Sequence, residues 1–137
     1  MDTEILTIET GPRRGVFDLT SDALRFVVGK GDGLLNVFVP HATAGVAVIE
    51  TGAGSDDDLM DAIDAMLPRD DRRYRHRHGS PGHGADHVLP GIVAPSMIIP
   101  VIDGDLALGT WQSIVLVDPN EDNRVRHVRL SFLKSGK

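Results

Sequence analysis

Four of the six histidines in this chain fall within the stretch Tyr74-Arg-His-Arg-His-Gly-Ser-Pro-Gly-His-Gly-Ala-Asp-His87. Histidine near neutral pH is the common transition-metal ligand and the common proton carrier, and the chain has no cysteine to compete for either role. The glycine-rich surroundings offer no apolar face in which these rings could simply be core. His76 and His78 are two apart and would share one face of a strand, whereas His83 and His87 are four apart and would share one face of a helix. Either pair could supply two metal ligands, and neither is a zinc signature on its own. On spacing alone, solvated loop histidines and ligands both remain open readings. A fifth, His41, opens the small-residue run His41-Ala-Thr-Ala-Gly45 after an apolar strand-like segment. The sixth, His127, alternates between arginines, as an exposed or edge strand position would. Glu50 ends the strand that begins just after His41, where a salt bridge competes with a proton-transfer or ligand role. Trp111, the only tryptophan, stands in Gly109-Thr-Trp-Gln112. Core packing is the default for such a residue, but the adjoining glycine and glutamine suggest a pocket floor.

Charge narrows the partners. A net charge of −6 argues against general nucleic-acid binding, which needs basic patches to neutralise phosphates. Arginines nevertheless cluster at residues 69–77 and 124–129, flanking the histidines, which would suit an anionic small molecule. With 137 residues the chain is expected to form one domain over 1–137, burying roughly two thirds of its unfolded surface without staples. The absence of cysteine fits a reducing cytosol. Met1-Asp-Thr-Glu4 has neither the basic nor the apolar region of a signal peptide, and no apolar run approaches a membrane span. The expectation is a cytoplasmic protein with no membrane partner.

The elements that must position these residues are mostly strands. Ile5-Leu-Thr-Ile8 and Val16-Phe-Asp-Leu19 read as short strands. Thr20-Ser-Asp22 resembles an N-cap for a short helix carrying Ala23, Leu24, Val27 and Val28. Residues 34–39 and 45–50 read as two strands with His41 on the connection at a sheet end. The clearest helix starts at Ser55, where Asp58 three residues on resembles a capping box. Asp56, Asp57 and Asp58 suit the positive end of the helix dipole better than a magnesium diphosphate site. Leu59, Met60, Ile63, Met66 and Leu67 form its apolar face, Asp61 and Asp64 its solvated face, and Pro68 closes it. Residues 96–102 and 106–108 flank a hairpin-like turn at Asp103-Gly-Asp105. Residues 113–117 and 125–133 read as a second pair around a polar 119–123 loop, and in the last strand Val128, Leu130 and Phe132 form one apolar face. The pattern predicts an α+β domain, a mostly antiparallel two-sheet β-sandwich with one main helix.

These motifs together resemble the YjbQ-like family, small proteins described as secondary thiamine-phosphate synthases. Asp18-Leu-Thr20 resembles an early element of that family, and His41-Ala-Thr-Ala-Gly45 resembles its His-Thr-Ser/Thr-Ala-Gly. Glu50 falls at a family glutamate, Tyr74-Arg-His76 matches a Tyr-x-His element, and Ala85-Asp-His87 stands where an alanine-rich segment ends in His-Leu. Ile99-Pro-Val101, Asp103-Gly104 and Leu106-Ala-Leu-Gly-Thr-Trp-Gln112 match the long C-terminal signature, and Arg124-Val-Arg126 sits at an arginine-rich return strand. Ala42 replaces a threonine of the pattern, Asp118 stands for its glutamate, and Pro90 and Ala94-Pro95 interrupt a segment that is helical in the family.

The resemblance implies a homotrimer of β-rich subunits. The 41% hydrophobic content agrees with sheet edges that an interface would protect. The resemblance singles out His41, His76 and His87 over His78, His83 and His127. The implied site joins those three as ligands of zinc or a similar divalent metal. Glu50, Gln112 and Trp111 would be catalytic, with Trp111 stacking on a heterocycle, and Arg124 or Arg126 would grip a phosphate. The implied reaction joins a pyrimidine-methyl diphosphate to a thiazole phosphate with release of diphosphate. The alternatives are another phosphate-ester enzyme using the same site, or a non-catalytic trimeric metal- or ligand-binding module.

Overall fold

In the C-terminal strand, Arg126, Val128, Leu130 and Phe132 are buried while Val125, His127, Arg129 and Leu133 are exposed, the two-residue period of a strand packed on one face. This strand, β8 (Val125–Lys134), is the spine of the larger sheet. The computed structural model describes residues 1–77 and 79–136, so His78 lies outside the described residues. β8 pairs with β1 (Asp2–Glu9) on one side and β3 (Gly33–Phe38) on the other. From β3 the sheet continues to β5 (Ser96–Ile102) and the short β6 (Asp105–Leu106). A smaller sheet sets β7 (Ser113–Asp118) between β2 (Gly15–Asp18) and β4 (Gly45–Ile49). Every pairing is antiparallel.

The β5–β6 hairpin turns at Asp103 and Gly104, with φ of 52° and 74°. Positive φ at both central residues is what a two-residue hairpin turn of this twist requires. The expected pairing of the last two strands does not form. β7 and β8 belong to different sheets, and the 119–123 loop crosses between them. The 39–44 connection, which carries His41, likewise passes from the larger sheet to the smaller.

Two apolar layers hold these parts together. Leu35, Val37, Val128 and Leu130 of the larger sheet meet Val46, Ile114 and Leu116 of the smaller one. Ala23 and Val27 of α1 (Thr20–Val27) join that layer. On the far face of the smaller sheet, Val115 and Val117 pack with Ile63 and Leu67 at α2 (Ser55–Met66) and with Ala85 of α3 (His83–Val88). β7 is therefore buried on both faces, which explains its unbroken apolar run Ile114-Val-Leu-Val117.

Both helix starts differ from the sequence expectation. Thr20 turns its hydroxyl to β7, accepting the Ile114 amide at 2.9 Å, and the amide of Thr20 itself is held by Asp18 Oδ1 at 2.8 Å. α2 follows Gly54 at φ 105° with no side-chain cap, so no capping box forms, although three aspartates still meet the positive end of its dipole. Met66 is 58% exposed rather than facing the core. Asp64 does not merely face solvent either: both of its oxygens take the Arg14 guanidinium, at 2.6 and 3.2 Å, fastening α2 beside β2. Among the described residues no helix is long and apolar enough to cross a membrane.

Candidate metal centre

The segment between α2 and α3 is irregular but heavily tied. Asp70 accepts the Arg72 amide at 3.1 Å, starting the 3-10 turn Asp71–Arg73, and also holds the Arg72 guanidinium at 3.0 and 3.1 Å. The Tyr74 hydroxyl donates to the Pro68 carbonyl at 2.7 Å. Its ring lies against Gly84, where an added Cβ would come within 2.7 Å of Tyr74 Cβ. Glycine at 84 thus lets α3 approach the segment that carries His76. Asp71 Oδ1 accepts the Gly82 amide at 3.0 Å.

That approach brings three imidazoles together. His83 and His87, one turn apart on α3, face each other through Nε2 at 2.9 Å. The His76 ring stacks on His87 at 4.3 Å between centroids and lies 5.0 Å from His83. One ring nitrogen from each of the three lies within 4.8 Å of the others, the only such trio of potential ligands among the described residues. Bonds of about 2.0–2.1 Å in a tetrahedral zinc site place nitrogen ligands about 3.3 Å apart. The His83 and His87 nitrogens at 2.9 Å are slightly closer than that and the widest separation stays within 4.8 Å, so these half-buried side chains suit a divalent ion once they shift to even spacing.

Other groups support the trio. His83 Nδ1 lies 3.2 Å from Asp122 Oδ2. The Asp122 carboxyl is held below the usual carboxylate range, chiefly by the Ser80 hydroxyl, with Asn120 and His83 adding to that against the opposing effect of desolvation. Asn120, almost fully buried, donates to Asp86 Oδ2 at 2.9 Å, and Asp86 also takes Arg69 at 2.6 Å. A cavity of about 210 Å³ opens beside His76 and His83, and Asp71, Arg72, Arg77 and Ser80 line it.

The structure brings His76 and His87 together but sets His41 elsewhere. His41 Nε2 accepts the His127 backbone amide at 3.0 Å, and the two rings stack at 5.9 Å. In the neutral ring the proton is then on Nδ1. Burial first, then the charges of Arg126 and His127, hold His41 below the ordinary imidazole value, against Asp118. Arg126 is buried, bonded through Nε and Nη2 to Asp118 at 2.8 Å each and through Nη2 to Thr43 at 2.8 Å. Arg124 is exposed, and its carbonyl receives the amides of Thr10 and Gly11. Glu50 is exposed, and so is Trp111, at 74%. Gln112 Oε1 accepts the Gly109 amide at 2.8 Å, closing its own turn. None of these six residues lines the cavity beside the trio. His83, Asp122, Arg72 and Arg77 are the additions. His83 had a signal in its four-residue spacing from His87, and Arg72 and Arg77 belong to the 69–77 arginine cluster; Asp122 had none.

The match to known proteins covers nearly the whole chain. Residues 4–135 match the family model described as UPF0047 protein YjbQ-like. UPF0047 protein Rv2556c of Mycobacterium tuberculosis is 63% identical over 98% of this chain and 99% of its own length. UPF0047 protein YugU of Bacillus subtilis is 32% identical over 80% of this chain and 83% of its own. The crystal structure of the hypothetical protein APE1520 from Aeropyrum pernix superposes with a TM-score of 0.88 at 34% identity, covering 98% of this chain and 100% of that one. Fold, extent and sequence agree, and the chain belongs to the UPF0047 YjbQ-like family.

Proposed function

We propose that the chain is a metal-dependent enzyme acting on a phosphorylated small molecule, with zinc or a similar divalent ion held by His76, His83 and His87. The observation that carries this reading is the convergence of three imidazole nitrogens within 4.8 Å beside a cavity lined by Arg72 and Arg77. Three nitrogen ligands leave a tetrahedral ion one open position, and a bound divalent ion supplies Lewis acidity toward a phosphoryl oxygen. Arg77, with Arg72 beside it, would hold the phosphate, because a planar guanidinium matches its oxygens two at a time. Asp71, the acidic residue on the cavity wall, would take up a proton.

Thiamine-phosphate formation is the specific reaction this site would support. The methylene–oxygen bond of the pyrimidine diphosphate breaks, a carbon–nitrogen bond to the thiazole forms, and diphosphate leaves with the bonding pair. Guanidinium charge would stabilise that departure. A cavity of about 210 Å³ is below the size usual for drug-sized ligands and suits one phosphorylated molecule better than two. That favours, as a second reading, a phosphate-ester enzyme or a ligand-binding module.

The assembly belongs to the same proposal: a homotrimer of two-sheet sandwiches. Its support is the outer face of the larger sheet, where Ile5, Leu34, Phe38, Ile98, Ile102 and Leu133 are all exposed. Arg129, Asn36 and Ser131 lie among them, and an exposed apolar set of this size is what a subunit interface would cover.

The experiment is zinc content and turnover on the same preparation. The parent is expected to retain one zinc per chain, and His76→Ala and His87→Ala to lose both zinc and activity toward thiamine precursors or a phosphate ester. Retained zinc with phosphate binding but no turnover on either substrate class would leave the binding module. A parent that takes up no zinc would sink the metal reading.

A further inference from the structure

Resting on the metal site proposed above, we infer that Asp122 is the positioning residue that makes His83 a ligand. It holds the Nδ1–H of His83 and so turns the Nε2 lone pair toward His87.

A carboxylate facing a neutral imidazole can only accept, so the ring nitrogen beside it carries the proton. Asp122 Oδ2 stands 3.2 Å from His83 Nδ1. The neutral His83 ring therefore has its lone pair on Nε2, the atom 2.9 Å from His87 Nε2. Carboxylates that back ligand histidines in this way fix both tautomer and ring orientation.

The carboxylate is itself preset. The Asp122 amide donates to Asn120 Oδ1 at 2.9 Å. Asn120 Nδ2 donates to Asp86 at 2.9 Å, and Asp86 lies on α3 between His83 and His87. The loop carrying Asp122 and the helix carrying His83 are thus joined twice, once through the buried Asp86–Asn120 bond and once through His83 itself. The Asn120 amide donates to Asp118 Oδ1 at 3.0 Å, which anchors the start of the loop to the end of β7.

A consequence follows for His87. Two Nε2 atoms at 2.9 Å share one proton. If His83 keeps its proton on Nδ1, the shared one is on His87 Nε2. Metal uptake through His87 Nε2 then requires His87 to change tautomer, while His83 keeps the tautomer it already has.

The test reads tautomers and zinc together. Long-range nitrogen–proton NMR spectra of 15N-histidine-labelled, metal-free protein, at a pH where the rings are neutral, should show His83 as the Nδ1–H form. Asp122→Ala should lose that preference and bind zinc about 10–100-fold more weakly in competition with a chromophoric chelator. Asp122→Asn keeps an oxygen that can accept from Nδ1–H, and should recover the tautomer and part of the affinity. His83→Ala should lose zinc as well and covers the case in which Asp122→Ala fails to fold. His83 found as the Nε2–H form in the parent would overturn the inference. So would zinc binding by Asp122→Ala or His83→Ala as tight as the parent's. A parent that binds no zinc at all defeats the metal reading, while the tautomer spectra still decide whether Asp122 orients His83.

Discussion

Replacing Arg126 with alanine separates structural support from ligand binding. The side chains of Arg126 and Asp118 are 1% and 0% exposed, and two bonds of 2.8 Å join them. Arg126 is on β8 of the larger sheet and Asp118 ends β7 of the smaller one, so the pair fastens the two sheets across their shared core. Without the guanidinium, the Asp118 carboxylate keeps only the Asn120 amide in a place water does not reach. Breaking such a pair by removing one partner costs about 3–5 kcal/mol. With an unfolding entropy of about 2.1 cal/mol/K per residue, 137 residues convert that into a Tm lower by roughly 10–17 °C. Calorimetry and urea titration should show the loss. Phosphate affinity, measured well below the transition, should stay at the parent's value, because the arginines lining the cavity are Arg72 and Arg77. The double variant Arg126→Met, Asp118→Leu should recover much of the stability, since it removes both charges rather than one. An Arg126→Ala protein that melts with the parent but no longer binds phosphate would refute the reasoning and restore Arg126 as a ligand-binding residue.

Three further outcomes are expected. His41 has a lowered pKa in the folded state, so the unfolded chain binds its proton first. The neutral ring's contribution is present above about pH 6.5 and is lost as pH falls through the folded value. His41→Gln should therefore flatten the acid side of the stability profile, and equal slopes for parent and variant would contradict this. Gly84→Ala should destabilise by about 1–3 kcal/mol, the usual cost of overpacking, and weaken zinc binding, because the new Cβ meets Tyr74 within 2.7 Å. Gly91→Ala, with open space around the added carbon, is the control, and equal zinc affinities would show that Tyr74 does not set His76. Ile98→Lys, on the outer face of the larger sheet, should shift a trimer toward monomer in light scattering, and a monomeric parent at micromolar concentration would remove the trimer.

Strand alternation was legible because burial on one face writes itself into every second residue, as β8 shows with Val128, Leu130 and Phe132. The partners of strands were not. β7 and β8 are neighbours in sequence with a loop of hairpin length between them, yet they lie in different sheets. Across the crossing Asp118 and Arg126 meet in the core, a contact that no local pattern reveals. Caps misled for a related reason. Thr20 has the right type for an N-cap, but its hydroxyl takes the Ile114 amide, and an oxygen directed at a neighbouring strand is not available to its own helix. In the histidine segment, spacing put His83 and His87 on one helix face without choosing between ligand and loop, and family likeness singled out His76 and His87 with His41, which the structure sets elsewhere. Asp122, almost forty residues further along the chain, becomes visible only once the loop after β7 folds back on α3.

The arginines show why charge alone is a poor guide to an anion site. Arg69, Arg72, Arg77, Arg124 and Arg126 look equivalent in the sequence, but their partners divide them. Arg69 is bound to buried Asp86 and Arg126 to buried Asp118, so both guanidiniums already have anions, and the Arg126 pair is closed to ligand as well. Arg72 is held by Asp70 at the surface, an ion pair weak enough in water for a phosphate to compete. Arg77 lines the same cavity and bonds to a backbone carbonyl at 3.5 Å, which leaves its charge uncompensated by that contact. The buried pairs also serve the site at one remove. Asp118 anchors the Asn120 amide and Asp86 anchors the Asn120 side chain, and between them they fix the loop from which Asp122 reaches His83. One hydrogen-bonded chain therefore runs from the contact between the sheets to the face of α3 where the histidines meet.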